Sequence, residues 1–595
     1  MIKSKRLPLI TVIIIAVATA FMLPWFVDKT ETVNSPSQAE YVSKLFLNDI
    51  VTLDIKVNED KWNEILENAT AEEYIPCDIT INGTTFSSVG IRPKGNSSLS
   101  KVASSGSDRY SFRLNFDKYV DGQTCFGLDT LILNNMDSDY TYVKEYFAYD
   151  IMHYMGVNSP LTTFADIKVN GKTWGLYLAV EGYGKSFLER TYGATEGQLY
   201  NVKSMGMSQD KRGDNNVPES TNTNIKGRAF NGDASNDNIP DDRNAFDGGA
   251  PGIGRSTGGD LVYKDDDPDS YSAIFDNAVF KADDDDYERV IEAIKHLNNG
   301  TELEKYLDVD QILRYLAVHT FVVNLDSYVS NMQQNYYLYE NDGKITVLPW
   351  DYNLAFGGFQ SGDVQAAINF PIDTPVSDVD MSQRPLINVL LSVPEYLEKY
   401  HNYLNDIVTG YFNSGLFEKT LENITSIIDP YVKNDPTAFC TYEQYKTALN
   451  AFREFCLLRA QSVAGQLSGE IPATADGQNA DGTALLSADN VNLSAMGAQG
   501  GGRFNGEGFR PVQGQQQNDG QDLIQPQNGN PPTMPDGQMQ QGNRGDIAGA
   551  PFDKQTQATD GQNGTSYSNN IPAIGALAVI SALAVIIALR WPRRF

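Results

Sequence analysis

Histidine and cysteine are scarce in this 595-residue chain, with four of each. The histidines, His153, His296, His319 and His401, are scattered, which argues against a His-built metal hydrolase. The cysteines, Cys77, Cys125, Cys440 and Cys456, have no zinc spacing; nearest-neighbour disulfides, Cys77 with Cys125 and Cys440 with Cys456, are one of three pairings open to them. Basic residues are few as well, 46 Lys and Arg against 76 Asp and Glu, for a formal net charge of −30. Because both ends are basic, the rest is more acidic still, and nucleic acid is not a partner. The acid runs at 265–267 and 283–286 lack the regular D-x-D-x-D-G spacing of a calcium loop and read as solvated faces.

Charge is missing altogether from residues 7–27, which follow Lys3, Lys5 and Arg6, so residues 1–27 read as a signal peptide or signal anchor. A second apolar run, 571–591, reads as a transmembrane helix, and the tail 592–595 carries Arg593 and Arg594. Basic residues stay on the cytoplasmic side, which places everything between the two runs outside the membrane. Residues 468–570 are rich in Gly, Gln, Asn, Asp and Pro and too poor in apolar side chains to fold, so they read as a disordered tether. Residues 204–258 have a similar composition and read as a mobile insertion.

What remains alternates in its first part and is helical later. From 45 to 117 short apolar runs separated by turns predict a small antiparallel sheet with one helix near 60–69. A helix from about Tyr140 to Met155 follows, capped by Asp137-Ser138-Asp139 and ended by Gly156, with Val143, Phe147, Ile151 and Met155 on one stripe. Asn170-Gly171 predicts a hairpin between 164–169 and 173–181. Beyond Asp286 the period is helical, giving an α-rich second half.

The stretch 324–358 holds two acids, Asp326 and Asp351, at the ends of apolar runs. A carboxylate at the edge of a core requires a cation or donors to replace lost water. Asp342-Gly343 predicts a hairpin that brings the two acids together. Asp326-x4-Asn331 has the spacing of a protein-kinase catalytic loop, in which Asp orients the acceptor hydroxyl and Asn holds magnesium. From spacing alone, a capping role for Asp326 and an Asx turn at Asp351 stay open. So do two readings of Arg92-Pro93-Lys94-Gly95-Asn96-Ser97-Ser98, as a hairpin turn or as a turn whose amides approach phosphate.

Pro349-Trp350-Asp351-Tyr352-Asn353, the Asp326/Asn331/Asn335 cluster, Gly90 to Ser98 and Asn170-Gly171-Lys172-Thr173-Trp174-Gly175-Leu176-Tyr177 through Glu181 together resemble the spore coat protein H (CotH) family, over roughly residues 45–460. The resemblance implies an α+β, two-lobed atypical protein-kinase-like fold, with a β-rich N-lobe at 45–180 and an α-rich C-lobe at 181–467. It implies Asp326 as catalytic residue, Asp351 and Asn331 (or Asn335) as metal ligands, and Arg92, Lys94, Ser97, Arg113, Glu145 and Glu181 as nucleotide-binding residues. The family commonly has Lys where this chain has Arg113, and kinase logic pairs Arg113 with Glu145. The implied cofactors are ATP with Mg2+ or Mn2+. The implied activity is transfer to Ser or Thr of surface or spore coat proteins by an exported, membrane-tethered enzyme. A catalytically silent surface scaffold or glycan-binding module is the alternative, and a two-carboxylate glycosidase a distant third.

Overall fold

The computed structural model of the chain describes residues 39–47, 50–95, 97–204, 256–361 and 363–497. Both expected membrane segments and nearly all of the expected insertion lie outside these residues; among the described residues no helix is long and apolar enough to cross a membrane. The described fold is mixed α and β, with a strand-rich first part and a helical second part.

Alternation builds the first part. The strands β1 (Ile50–Lys56), β2 (Ile75–Ile81), β3 (Thr84–Lys94), β4 (Ser111–Asn115), β5 (Thr130–Asn134), β6 (Thr162–Val169) and β7 (Lys172–Glu181) close into a barrel in the order β1-β2-β3-β4-β5-β7-β6. Val51, Leu53 and Ile55 of β1 point inward with Ile79, Ile91, Phe112 and Leu114, while Thr52 and Lys56 face water. Within 45–117 the strands pair antiparallel as expected, β1 with β2, β2 with β3 and β3 with β4. Beyond that range β1 and β6 run parallel, from Ile50 opposite Phe164 to Ile55 opposite Val169, which closes the sheet and removes its edges. The helix expected near 60–69 is α1 (Glu59–Glu67), with Asn58 accepting from the Lys61 amide at its start. A second helix, α2 (Ser97–Ser105), follows β3 directly.

Two strands are buried on both faces and join the halves. Leu131, Leu133, Tyr177 and Ala179 belong to the barrel core, whereas Ile132, Leu176, Leu178 and Val180 pack into the core of the helical half. Against that outer face lies α3 (Lys144–Tyr154), whose Phe147 and Ile151 are buried as the stripe predicts. It begins later than Tyr140 because Tyr142 is left-handed (φ 62°), and Asp139 turns its carboxylate onto the amides of Thr141 (2.9 Å) and Lys144 (3.0 Å). A fully buried ion pair, Arg109 Nη1 to Asp435 Oδ2 at 2.8 Å, ties barrel to helices. It also explains Gly175, since a Cβ there would lie 2.6 Å from Arg109 Nη1.

The helical half holds α4 (Lys185–Tyr192), α5 (Asp284–Asn299), α6 (Val309–Val322), α7 (Pro394–Asp406), α8 (Leu416–Lys433) and α9 (Tyr442–Ser468) around a three-stranded sheet of β8 (Gln198–Val202), β9 (Tyr336–Asn341) and β10 (Lys344–Pro349). The acid run at 283–286 is more than a solvated face: Asp283 and Asp286 form a capping box that starts α5.

Two expectations are corrected here. None of the four cysteines is paired. Cys456 lies about four turns along α9 and Cys440 just before it, roughly 20 Å apart at 1.5 Å per residue, far beyond disulfide reach. The disordered tether does not begin at 468. Residues 469–497 pack back onto the helical half, burying Ala488, Val491 and Met496 in its core, so a few apolar residues suffice where a preformed surface receives them.

Candidate active site

The turn that joins β9 to β10 has both central residues left-handed, Asp342 (φ 52°) and Gly343 (φ 80°), and so returns the chain beside itself. Before β9 lies the loop 323–335 with Asp326; after β10 comes Asp351. Both loops hold unusual backbone. Val323 (φ 48°), Gln333 (φ 54°), Asn335 (φ 61°), Asp351 (φ 62°) and Phe356 (φ 57°) are all left-handed. A β-branched residue such as Val323 adopts this conformation only when its surroundings impose it, and such strain concentrates at functional sites.

The surroundings that impose it are visible. The Gly357 amide donates to the Val323 carbonyl at 3.2 Å. His319 of α6, fully buried, stands between the loops, with Nδ1 2.8 Å from the Tyr352 hydroxyl and Nε2 2.9 Å from Ser327 Oγ. Burial pushes its pKa down to about 4, so it is neutral. Arg384 holds the Asp326 loop from behind, donating to the carbonyls of Tyr328 (2.6 Å) and Ser330. Asp326 itself accepts from Gln334 Nε2 at 2.9 Å, and Asn335 Nδ2 donates to the Asp326 carbonyl at 2.7 Å.

Electrostatics link two carboxyls, Asp326 and Glu145, to Asp351. Burial first, then the Asp351 charge, push Asp326 up to about 6. The same two causes, in the same order, push Glu145 up to about 7, against the opposing effects of Asn134 and Lys94. Asn134 Nδ2 donates to Glu145 at 2.8 Å and Lys94 Nζ donates to Asn134 Oδ1 at 3.2 Å, so one amide couples the base of β3 to the acid of α3. Lys94 Nζ also lies over the Trp350 ring, 5.4 Å from its centre.

Basic side chains collect beside these acids. Arg92 and Arg113 stand directly opposite each other on β3 and β4. Like charges at such a pair destabilise a sheet unless an anion lies between or beside them. Arg92 is engaged by Glu72 and by the Pro93 carbonyl. Arg113 acts electrostatically on Tyr337, and burial first lowers the pKa of Lys203, one residue past β8, with Glu72 opposing and Arg92, Lys94 and Arg113 adding to the fall. After Lys94 the chain turns at Gly95 (φ 146°), where a Cβ would meet Ser98 Oγ at 2.8 Å, and Ser97 opens α2.

Of the expected residues, Lys94, Glu145, Asp326 and Asp351 interact with one another, and Arg113 joins them through Tyr337, which Asp351 also faces, whereas Arg92 stands opposite Arg113 and is engaged by Glu72. The expected Arg113–Glu145 pairing does not form; Lys94, through Asn134, is the cation next to Glu145. Glu181 is also corrected. Its carboxylate is fully buried and accepts from Tyr41 (2.6 Å), the Leu161 amide (3.0 Å) and both Nε (3.0 Å) and Nη2 (2.7 Å) of Arg190, which leaves no face for a ligand. Asn331 is exposed, while Asn335 is half-buried against Asp326. The sequence reading missed Asn134, His319, Arg384 and Lys203. Asn134 and His319 end or interrupt apolar runs, which was a usable signal; Lys203 and Arg384 carried none.

Fold and site together define an α+β protein in which Lys94, through Asn134, and the acids Glu145, Asp326 and Asp351 come together where barrel and helices meet. The family model described as CotH kinase protein matches residues 91–463. The chain belongs to that family. Inner spore coat protein H of Bacillus subtilis (strain 168) is similar to it, 23% identical over 351 residues that make up 58% of this chain and 80% of that protein.

Proposed function

We propose that this chain is a protein kinase, transferring the γ-phosphoryl group of ATP to a Ser or Thr hydroxyl of a spore coat or surface protein. The observation that carries the reading is the placement of Lys94, through Asn134, beside Glu145, and of Arg113 and Asp351 together around Tyr337, with Asp326 next to Asp351. Cations of this kind suit a triphosphate; acids that repel one another suit a metal ion.

The donors present fit magnesium or manganese. Among the described residues no group of three or more His, Cys, Asp or Glu side chains closes on one point. Asp351, with the amide of Asn331 or Asn335, would therefore hold an ion completed by phosphate oxygens and water, the usual manner for Mg2+. Such an ion, when bound, neutralises phosphate charge.

Asp326 is the proton acceptor. With a pKa near 6 it is ionised at neutral pH yet basic enough to take the hydroxyl proton as the acceptor oxygen bonds to the γ-phosphorus and the bond to the β-phosphate oxygen breaks, releasing ADP. Lys94 and Arg113 meet the phosphates. Lys94 is itself set by the Asn134 bridge, so Glu145 acts on the phosphates through it. Ser97 and the first amides of α2, a nine-residue helix, offer donors next to Lys94.

Export and tethering through the apolar runs at 1–27 and 571–591 belong to the same proposal. The printed name of the Bacillus subtilis relative supports a spore setting. The test is incubation of the purified chain with radiolabelled ATP and Mg2+ or Mn2+. Label on the chain or on coat protein is expected, and its absence with either metal would return the chain to the scaffold reading.

A further inference from the structure

The family match ends at residue 463, yet the fold does not. From the end of α9 the chain turns back along the helical half. The Asp373 amide donates to the Ala473 carbonyl (2.9 Å), and Asn369 pairs with Leu486 through both its amide nitrogen (2.9 Å) and oxygen (3.1 Å). The segment ends against the loop that leads into α3. There the Tyr140 amide donates to the Met496 carbonyl at 3.1 Å, and Lys144 Nζ donates to the Gly497 carbonyl at 2.9 Å.

Lys144 is wholly buried, and its ammonium donates to the carbonyls of Ser138 (3.2 Å) and Gly497 (2.9 Å). A buried ammonium that loses an acceptor is costly. The next residue is Glu145. On its other side the same loop is held by Asn353 Nδ2, which donates to the Asp137 carbonyl at 3.0 Å two residues after Asp351. The end of the segment thus touches a loop whose two ends reach both acids. The contact is close-fitting: Gly497 is left-handed (φ 79°), and a Cβ on it would sit 2.7 Å from the Ser138 carbonyl oxygen and 3.0 Å from the Tyr140 nitrogen.

We infer that residues 486–497 are an in-cis strap, and that Met496, Gly497 and Lys144 are positioning residues which set Glu145, and through Asn134 the phosphate-facing Lys94. The effect on nucleotide rests on the kinase reading; the effect on the loop does not. The strap lies outside the region that the family model covers, and its contact with the site runs through Lys144 and the loop before it.

The test uses the full chain with Gly497→Val and, separately, Met496→Ala, which trims a fully buried side chain and leaves the Gly497 backbone alone. Two readouts are taken. Amide hydrogen exchange over 138–147 should quicken roughly tenfold in both variants, well before exchange in β9 and β10 changes. KM for ATP should rise several-fold with kcat nearly unchanged, while Ser494→Ala, an exposed position on the same strap, should alter neither. A uniform loss of thermal stability with exchange at 138–147 no faster than elsewhere would overturn the inference. If the wild-type chain transfers no phosphate, the kinase reading fails, and the exchange arm still decides for or against the strap.

Discussion

His319 and Tyr352 share a hydrogen bond of 2.8 Å in the core, one residue beyond Asp351. The opposite ring nitrogen meets Ser327, one residue beyond Asp326. A single neutral imidazole thus fixes the spacing between the two acids on which the proposed chemistry depends.

Replacing His319 with Phe keeps a ring but removes both hydrogen bonds. Leaving Ser327 and Tyr352 without their partner should cost about 1–3 kcal/mol. Phosphoryl transfer should fall much further than that loss of stability accounts for, because the loops drift apart. Denaturant unfolding beside a transfer assay checks this, and an equal fall in both would assign His319 to the core alone.

Glu181→Gln should harm the fold and spare nucleotide. The carboxylate balances Arg190 with four donors around it, and breaking a buried pair from one side costs roughly 3 kcal/mol. Thermal unfolding should drop markedly while the stabilisation by ATP and Mg2+ keeps its size. Loss of that ligand response would restore Glu181 to the nucleotide site.

Stability should depend on pH through Glu145 and Asp326. Glu145 and Asp326 have folded pKa values, about 7 and about 6, above their ordinary ones. A carboxyl raised in this way stabilises the fold when protonated, fully so below its unfolded pKa, and that contribution is lost as pH rises through the folded value. His319, lowered to about 4 from 6.5, acts oppositely below its ordinary value. Between pH 6.5 and 8 the Glu145 effect is therefore the clearest, and stability should fall by on the order of 1 kcal/mol across that range. Glu145→Gln should flatten the slope. Melting curves across the range measure it, and an unchanged slope in the variant would place the titration elsewhere.

Some of this was legible in the chain and some was not. Asn170-Gly171 and Asp342-Gly343 were read correctly as hairpins because two left-handed residues in succession have few sequence solutions. The stripe of α3 was equally plain. Barrel closure was not, because the pairing of β1 with β6 joins strands more than a hundred residues apart and leaves no local mark. The partner of Glu145 was missed for a related reason: kinase logic supplied a strand base, but only three-dimensional register shows that Asn134 links Glu145 to Lys94 rather than to Arg113. Glu181 looked available because its saturation depends on Tyr41 and Arg190, from two other parts of the chain. The segment 469–497 looked too polar to fold, and its composition gave no hint of the surface that receives it.

The most direct test separates the two acids. Asp351→Asn and Asp326→Asn are compared with wild type in one experiment that records transfer from radiolabelled ATP and the thermal shift on adding ATP with Mg2+. Asp351→Asn should stay folded, lose the Mg2+-dependent shift and lose transfer by orders of magnitude; Asp326→Asn should keep most of the shift and still lose transfer. An Asp351→Asn chain that transfers phosphate at the wild-type rate would contradict the assignment of this site to phosphoryl transfer.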